Sequence, residues 1–155
     1  TTHHDKRLLL QKSMLQVRLT GHDTGGAYAL IESVTQPGGG VAPHFHTEED
    51  ETLFVLSGEL EVTIHDRSIR LKAGEVVLLP GQTIHSFRVI GNEPGKALLV
   101  FMPAGVELYF KEMSRLLARE STTLQEILSL SAEYGIRFVR PVSLTAETVL
   151  ETEER

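Results

Sequence analysis

Two histidines one residue apart, His44 and His46, mark where chemistry is densest in this chain. In an extended strand residues i and i+2 share a face, so the two imidazoles point the same way. An acidic run follows, Glu48, Glu49, Asp50 and Glu51. Of these, Glu51 has the parity of Leu53 and Val55, the inward set of a strand expected over 52–56. Further on, His85 alternates with Phe87 and Val89 on one face of a strand expected over 84–90. Three imidazoles and one carboxylate suit a first-row divalent ion, and a chain without cysteine must hold any metal by nitrogen and oxygen. Taken singly, each residue has an ordinary alternative. A lone histidine on an apolar strand is more often a hydrogen-bonded core or pocket residue, and an acidic run is usually a solvated loop.

The elements that must position these groups are short strands. Residues 28–35, 52–56, 60–65, 69–71, 76–79, 84–90 and 97–102 have the length and β-branched content of strands. Between them stand turn-formers: Pro37 with Gly38, Gly39 and Gly40; Ser57-Gly58; Ala73-Gly74; Pro80-Gly81; and Gly91 to Gly95 around Pro94. This spacing predicts an antiparallel sandwich or barrel. Gly58 and Gly74 are expected to supply positive φ, Gly58 in a hairpin between Leu56 and Leu60. The period then changes. Val106, Tyr109, Phe110, Met113, Leu116 and Leu117 fall at helical spacing, predicting an amphipathic helix over 105–118. A second helix should start at Thr123, where Thr123 and Glu126 form a capping box, and end at Gly135. The remainder, 142–155, is an acidic tail.

With the elements in place, the spacing of the ligand candidates resembles the cupin family. The first cupin motif, G-x5-H-x-H-x3,4-E-x6-G, matches without exception through Gly38, His44, His46, Glu51 and Gly58. The second, G-x5-P-x-G-x2-H-x3-N, runs from Gly74 through Pro80 to His85. It departs at Gln82, where the family has glycine (Gly81 lies one place earlier), and at Val89, where it has asparagine. Neither is a ligand position. The resemblance implies an all-β fold, a double-stranded β-helix or jelly-roll barrel, with a C-terminal helical appendage. It implies one domain over 1–155, with a barrel core at 28–103 and helices over 105–135. It also implies one divalent ion per chain (Fe, Mn, Ni, Co, Cu or Zn) on His44, His46, Glu51 and His85. Glu51 is preferred over Glu49 and Asp50 by its distance to Gly58.

Within the family the chain is most similar to small quercetinase-like bacterial cupins. The stretches 105–110 and 134–138 resemble the C-terminal helices of that subgroup. The expected activity is that of a dioxygenase or oxidoreductase on a small enolic, phenolic or diketone compound, with Glu51 as both ligand and catalytic base. The alternatives are a metal-dependent isomerase, epimerase or lyase of a small sugar or keto acid, and a non-catalytic small-molecule-binding cupin. Phosphorylated substrates would need basic residues inside the barrel. By parity Arg70, Lys72 and Arg88 face solvent instead.

Composition narrows the partners. The 155 residues carry 15 basic and 21 acidic side chains, a net charge of -6, which lacks the footprint of a nucleic-acid binder. No apolar run is long enough to cross a bilayer. The three leucines after Arg7 are too few for a secretory signal, so a cytoplasmic location is expected. Single-barrel cupins are usually dimers. The apolar runs 8–10 and 15–19 are therefore expected to cover a partner's sheet edge in a homodimer.

Overall fold

The computed structural model describes residues 11–139. The elements run β1 (Gln11–Leu19), α1 (Gly21–Thr24), β2 (Ala29–His46), β3 (Asp50–Ser57), β4 (Glu59–Ile64), β5 (Arg67–Lys72), β6 (Val76–Leu79), β7 (His85–Ile90) and β8 (Gly95–Met102). Then follow α2 (Val106–Leu117), α3 (Leu124–Glu133) and β9 (Ile136–Phe138). The strands pair in the order β5-β4-β7-β2-β8-β3-β6, with β1 and β9 also on β2. All pairs are antiparallel, and the sheet curls into a nearly closed barrel.

Alternation builds the core. On β3 Glu51, Leu53 and Val55 are buried while Asp50, Phe54 and Leu56 are exposed. On β7 His85, Phe87 and Val89 are buried and Arg88 is exposed. Burying a Leu- or Val-sized side chain is worth about 1.5–3 kcal/mol. A one-residue slip of β3 would expose Leu53 and Val55 and turn Glu51 out of the site, so the hydrophobic set that fixes the register also aims the carboxylate.

The longest strand departs from expectation. The predicted strand over 28–35 does not stop at Pro37 and the glycines; β2 continues through them to His46. Its first half lies between β1 and β8, its second between β7 and β9, with an irregularity between Val41 and His44. Gly40 makes this passage possible, since a Cβ there would run into the Phe87 carbonyl. Gly58 has φ 79, as expected, but it does not close a hairpin. β3 pairs with β6 and β8, whereas β4 pairs with β5 and β7, so Gly58 carries the chain from one face of the barrel to the other. A side chain there would strike the Pro94 carbonyl. Gly74, at φ 91, turns β5 into β6.

Residues 15–19, expected to reach a partner, belong to β1 and pair with their own chain's β2. The run 8–10 and the acidic tail lie outside the described residues.

Both predicted helices form, α2 from the N-cap Gly105 and α3 from Thr123 with its capping box. Gly135, at φ 73, follows the C-cap of α3. Helix α2 buries Val106, Tyr109, Phe110 and Met113 against the barrel. Its Glu107 is also buried, accepting hydrogen bonds from Gly21 N–H and Gly105 N–H, both at 2.7 Å. The stretch 136–138, grouped with the helices by resemblance, is instead strand β9, laid on the end of β2 that carries the histidines. No helix among the described residues is long and apolar enough to cross a membrane.

Candidate metal centre

His44 and His46 leave β2 on the same inward face, and His44 stands directly across the ladder from His85 on β7. Glu51 enters from β3, where its neighbours are Leu79 and Phe101. The four side chains are 4–6% exposed, and one donor atom from each lies within 4.8 Å of the others. The expected set is therefore brought together by three strands. Glu51 Oε1 lies 3.2 Å from His85 Nε2 and 3.5 Å from His46 Nε2.

The ring orientations suit a metal. His44 Nδ1 is 2.8 Å from the Ala42 carbonyl and His85 Nδ1 is 3.0 Å from the Thr83 carbonyl. A carbonyl only accepts, so each Nδ1 carries the proton and donates it. Each Nε2 is then left with its lone pair turned inward, the tautomer a metal ligand needs. The two neighbouring acids do not compete for the position. Asp50 is exposed and accepts from Gly81 N–H at 2.7 Å, while Glu49 lies on the Nδ1 side of His46, behind the cluster.

Without metal the site is electrostatically tense. Burial, with His85 and His46 close by, holds His44 well below the usual histidine range. Burial would also pull His46 down, but the carboxylates of Glu49 and Glu51, each with an oxygen 3.5 Å from a ring nitrogen, outweigh it and push His46 up to about 9. Burial would raise Glu51, yet His46 and His85 hold it well below the ordinary carboxylate range. A divalent cation replaces the proton on His46 and answers the carboxylate, so the donor set fits such an ion.

Around the donors the walls are apolar: Val41, Phe87, Leu99, Phe101, Phe110, Ile136 and Phe138, with the ring of Tyr109. Tyr109 turns its hydroxyl away to Ser131 Oγ, at 3.0 Å. Free space amounts to about 30 Å³, room for one or two waters. Phe138 packs its ring 5.6 Å from that of His44. Sequence reasoning missed Ile136 and Phe138 as pocket residues because three residues give no strand period. It read Tyr109 and Phe110 only as helix packing. Larger concavities lie outside the donor pocket: along the glycines of β2, in the α2–α3 groove, and on the far side of His85, beside His65 and Ile84. Arg70, Lys72 and Arg88 are exposed on the outer surface, as parity predicts. Of the other histidines, His22 and His65 are exposed.

The cupin domain model matches residues 32–101. Quercetin 2,3-dioxygenase of Bacillus subtilis is 24% identical over 107 residues, covering 69% of this chain and 32% of that protein. Polyketide synthase CurC of Streptomyces cyaneus is 27% identical over 71 residues, covering 46% of each. The chain thus spans less than half the length of either. Among solved structures, KdgF from Halomonas sp. superposes with a TM-score of 0.57 at 18% identity, covering 63% of this chain and 84% of that one, a likeness of fold. Barrel topology, motif spacing and the buried histidine–glutamate cluster agree with these matches, which support a cupin domain over residues 32–101 of this chain.

Proposed function

We propose that His44, His46, Glu51 and His85 hold one divalent ion and that the chain is a quercetinase-like oxidoreductase of a small enolic, phenolic or diketone compound. One observation carries this reading. Among the described residues the four donors are the pocket's only carboxylate and imidazole groups, and every other wall presents carbon or an aromatic ring, Tyr109 turning its hydroxyl away to Ser131. A sugar isomerase needs a second acid or base, and a phosphorylated substrate needs a basic side chain; among the described residues no further carboxylate or imidazole and no lysine or arginine lines the pocket. The relative from B. subtilis is by its name a dioxygenase of a flavonol, which is an enol.

When bound, a divalent ion supplies Lewis acidity and, if redox-active, a meeting point for substrate and dioxygen. The chain's own residues do the rest. Glu51 takes the substrate's hydroxyl proton, being the carboxylate that faces the donors. Held so far down, it is a weak base, which suits an enol or phenol better than the less acidic hydroxyl of a sugar. The aromatic walls exclude water from the reacting carbon atoms. The small free volume favours a diketone over a flavonol, and Phe138 and Ile136 must yield to admit it.

The test is metal analysis of protein purified without supplementation, followed by dioxygen uptake with a small β-diketone and a flavonol. Uptake with the diketone, proportional to bound metal, is expected. Binding of the diketone without turnover under any of iron, manganese, nickel, cobalt or copper would refute the enzyme and leave a binding protein. We also propose a homodimer, supported by an outward apolar face made of Phe54 and Leu56 on β3, Val76 and Leu78 on β6 and Met102 on β8, each 38–56% exposed.

A further inference from the structure

Beside the donor cluster stands a second buried carboxylate with no role assigned to it. Glu49 is 7% exposed, and its Oε1 lies 3.5 Å from His46 Nδ1. Neither atom has a hydrogen-bond partner. A buried polar pair left unsatisfied is rare and costly, and here each atom is the other's nearest remedy. The other two imidazoles are secured differently, since both turn their Nδ1 to a carbonyl two residues earlier in the chain, Ala42 within β2 and Thr83 just before β7.

We infer that Glu49 is a positioning residue: its carboxylate accepts the Nδ1 proton of His46 and directs Nε2 into the cluster. The inference rests on reading the cluster as a metal centre. A carboxylate behind a ligating imidazole fixes the tautomer and raises the basicity of the opposite nitrogen. It also places a negative charge one ring away from the ion. With Glu51 this brings the net charge of a divalent site from about +1 to about zero. His46 is therefore the electronically distinct ligand of the three, the strongest nitrogen donor.

The experiment compares wild type with Glu49→Gln and Glu49→Ala. Cobalt(II) affinity and visible absorption spectrum are measured for each, and the ring ¹⁵N and Nδ1-proton resonances of His46 are recorded in the zinc-loaded proteins. Loss of the acceptor in Glu49→Ala should weaken cobalt binding about 10–100-fold and move both the spectrum and the His46 resonances. Glu49→Gln keeps the volume and an acceptor oxygen, and should recover most of the affinity while the resonances still move. Unchanged affinity, spectrum and resonances in both variants would overturn the inference while leaving the metal centre standing. Absence of cobalt binding by wild type would instead sink the metal reading, and this inference with it.

Discussion

Loading the site with a divalent ion should expel a proton, and His46 sets the amount. In the metal-free protein Glu49 and Glu51 push His46 up to about 9. His44 has been driven to the neutral form and Glu51 to the ionised form, so both are ready to bind at neutral pH. At about pH 7 the ion must therefore displace a proton held with roughly a hundredfold preference. Affinity should climb about tenfold per pH unit, near 1.4 kcal/mol each, and flatten above about pH 9. Zinc titrations against a chromophoric chelator at half-unit intervals from about pH 7 to 9.5 measure the slope. Calorimetry in two buffers of different ionisation enthalpy counts the proton. A dissociation constant flat across that range, with no proton released at about pH 7, would refute the charged His46. The same pairing has a stability counterpart. Because the folded value lies above the unfolded one of 6.5, its contribution to metal-free stability is complete below about pH 6.5 and lost as pH rises through about 9.

Three further outcomes are expected. Glu51→Gln should keep much of the bound metal yet lose roughly 10²–10⁴-fold in activity per metal, whereas His46→Ala should lose metal and activity together; metal content and turnover on the same samples separate the two. Gln82 holds a φ of 66 where the family has glycine, so Gln82→Gly should raise stability by up to about 1 kcal/mol, or roughly 2–4 °C in Tm by calorimetry. Leu78→Lys, on the exposed apolar face, should shift sedimentation from dimer to monomer without changing the metal content.

The convergence of His44, His46, Glu51 and His85 was legible in the sequence because strand parity makes it so. His44 with His46, and Glu51 with Leu53, need only a period of two to be placed on inward faces. The two helices declared themselves equally plainly, through the spacing of Tyr109, Phe110 and Met113 and the capping box at Thr123. What escaped were elements defined by their partners rather than by their own pattern. β9 is three residues long and exists because the end of β2 offers it a ladder. β1 mixes Lys12, Gln16 and Arg18 with its apolar residues, so its alternation is weak. The continuation of β2 through Pro37 and three glycines contradicts local propensity, and the close approach to β7 at Gly40 overrides it. Glu49 reads as one more solvated acid until the fold turns it inward.

The double pairing at the end of β2 separates two kinds of fastening. β7 secures His44 from one side, while β9 lies on the other side with Ile136 and Phe138 in the pocket wall. β9 is held by a short ladder whose flanking bonds run from Thr47 N–H to the Gly135 carbonyl, at 2.8 Å, and from Val139 N–H to the Pro43 carbonyl, at 3.2 Å. Peeling it away would unroof the donors and enlarge the chamber, yet the ladder between β2 and β7 and the pairing of β3 with β6 and β8 would stay intact. This part of the wall and the anchorage are thus attached to the same strand but on opposite edges. Substitutions in β9 are therefore expected to reshape the pocket without disturbing the array of nitrogen and oxygen atoms behind it.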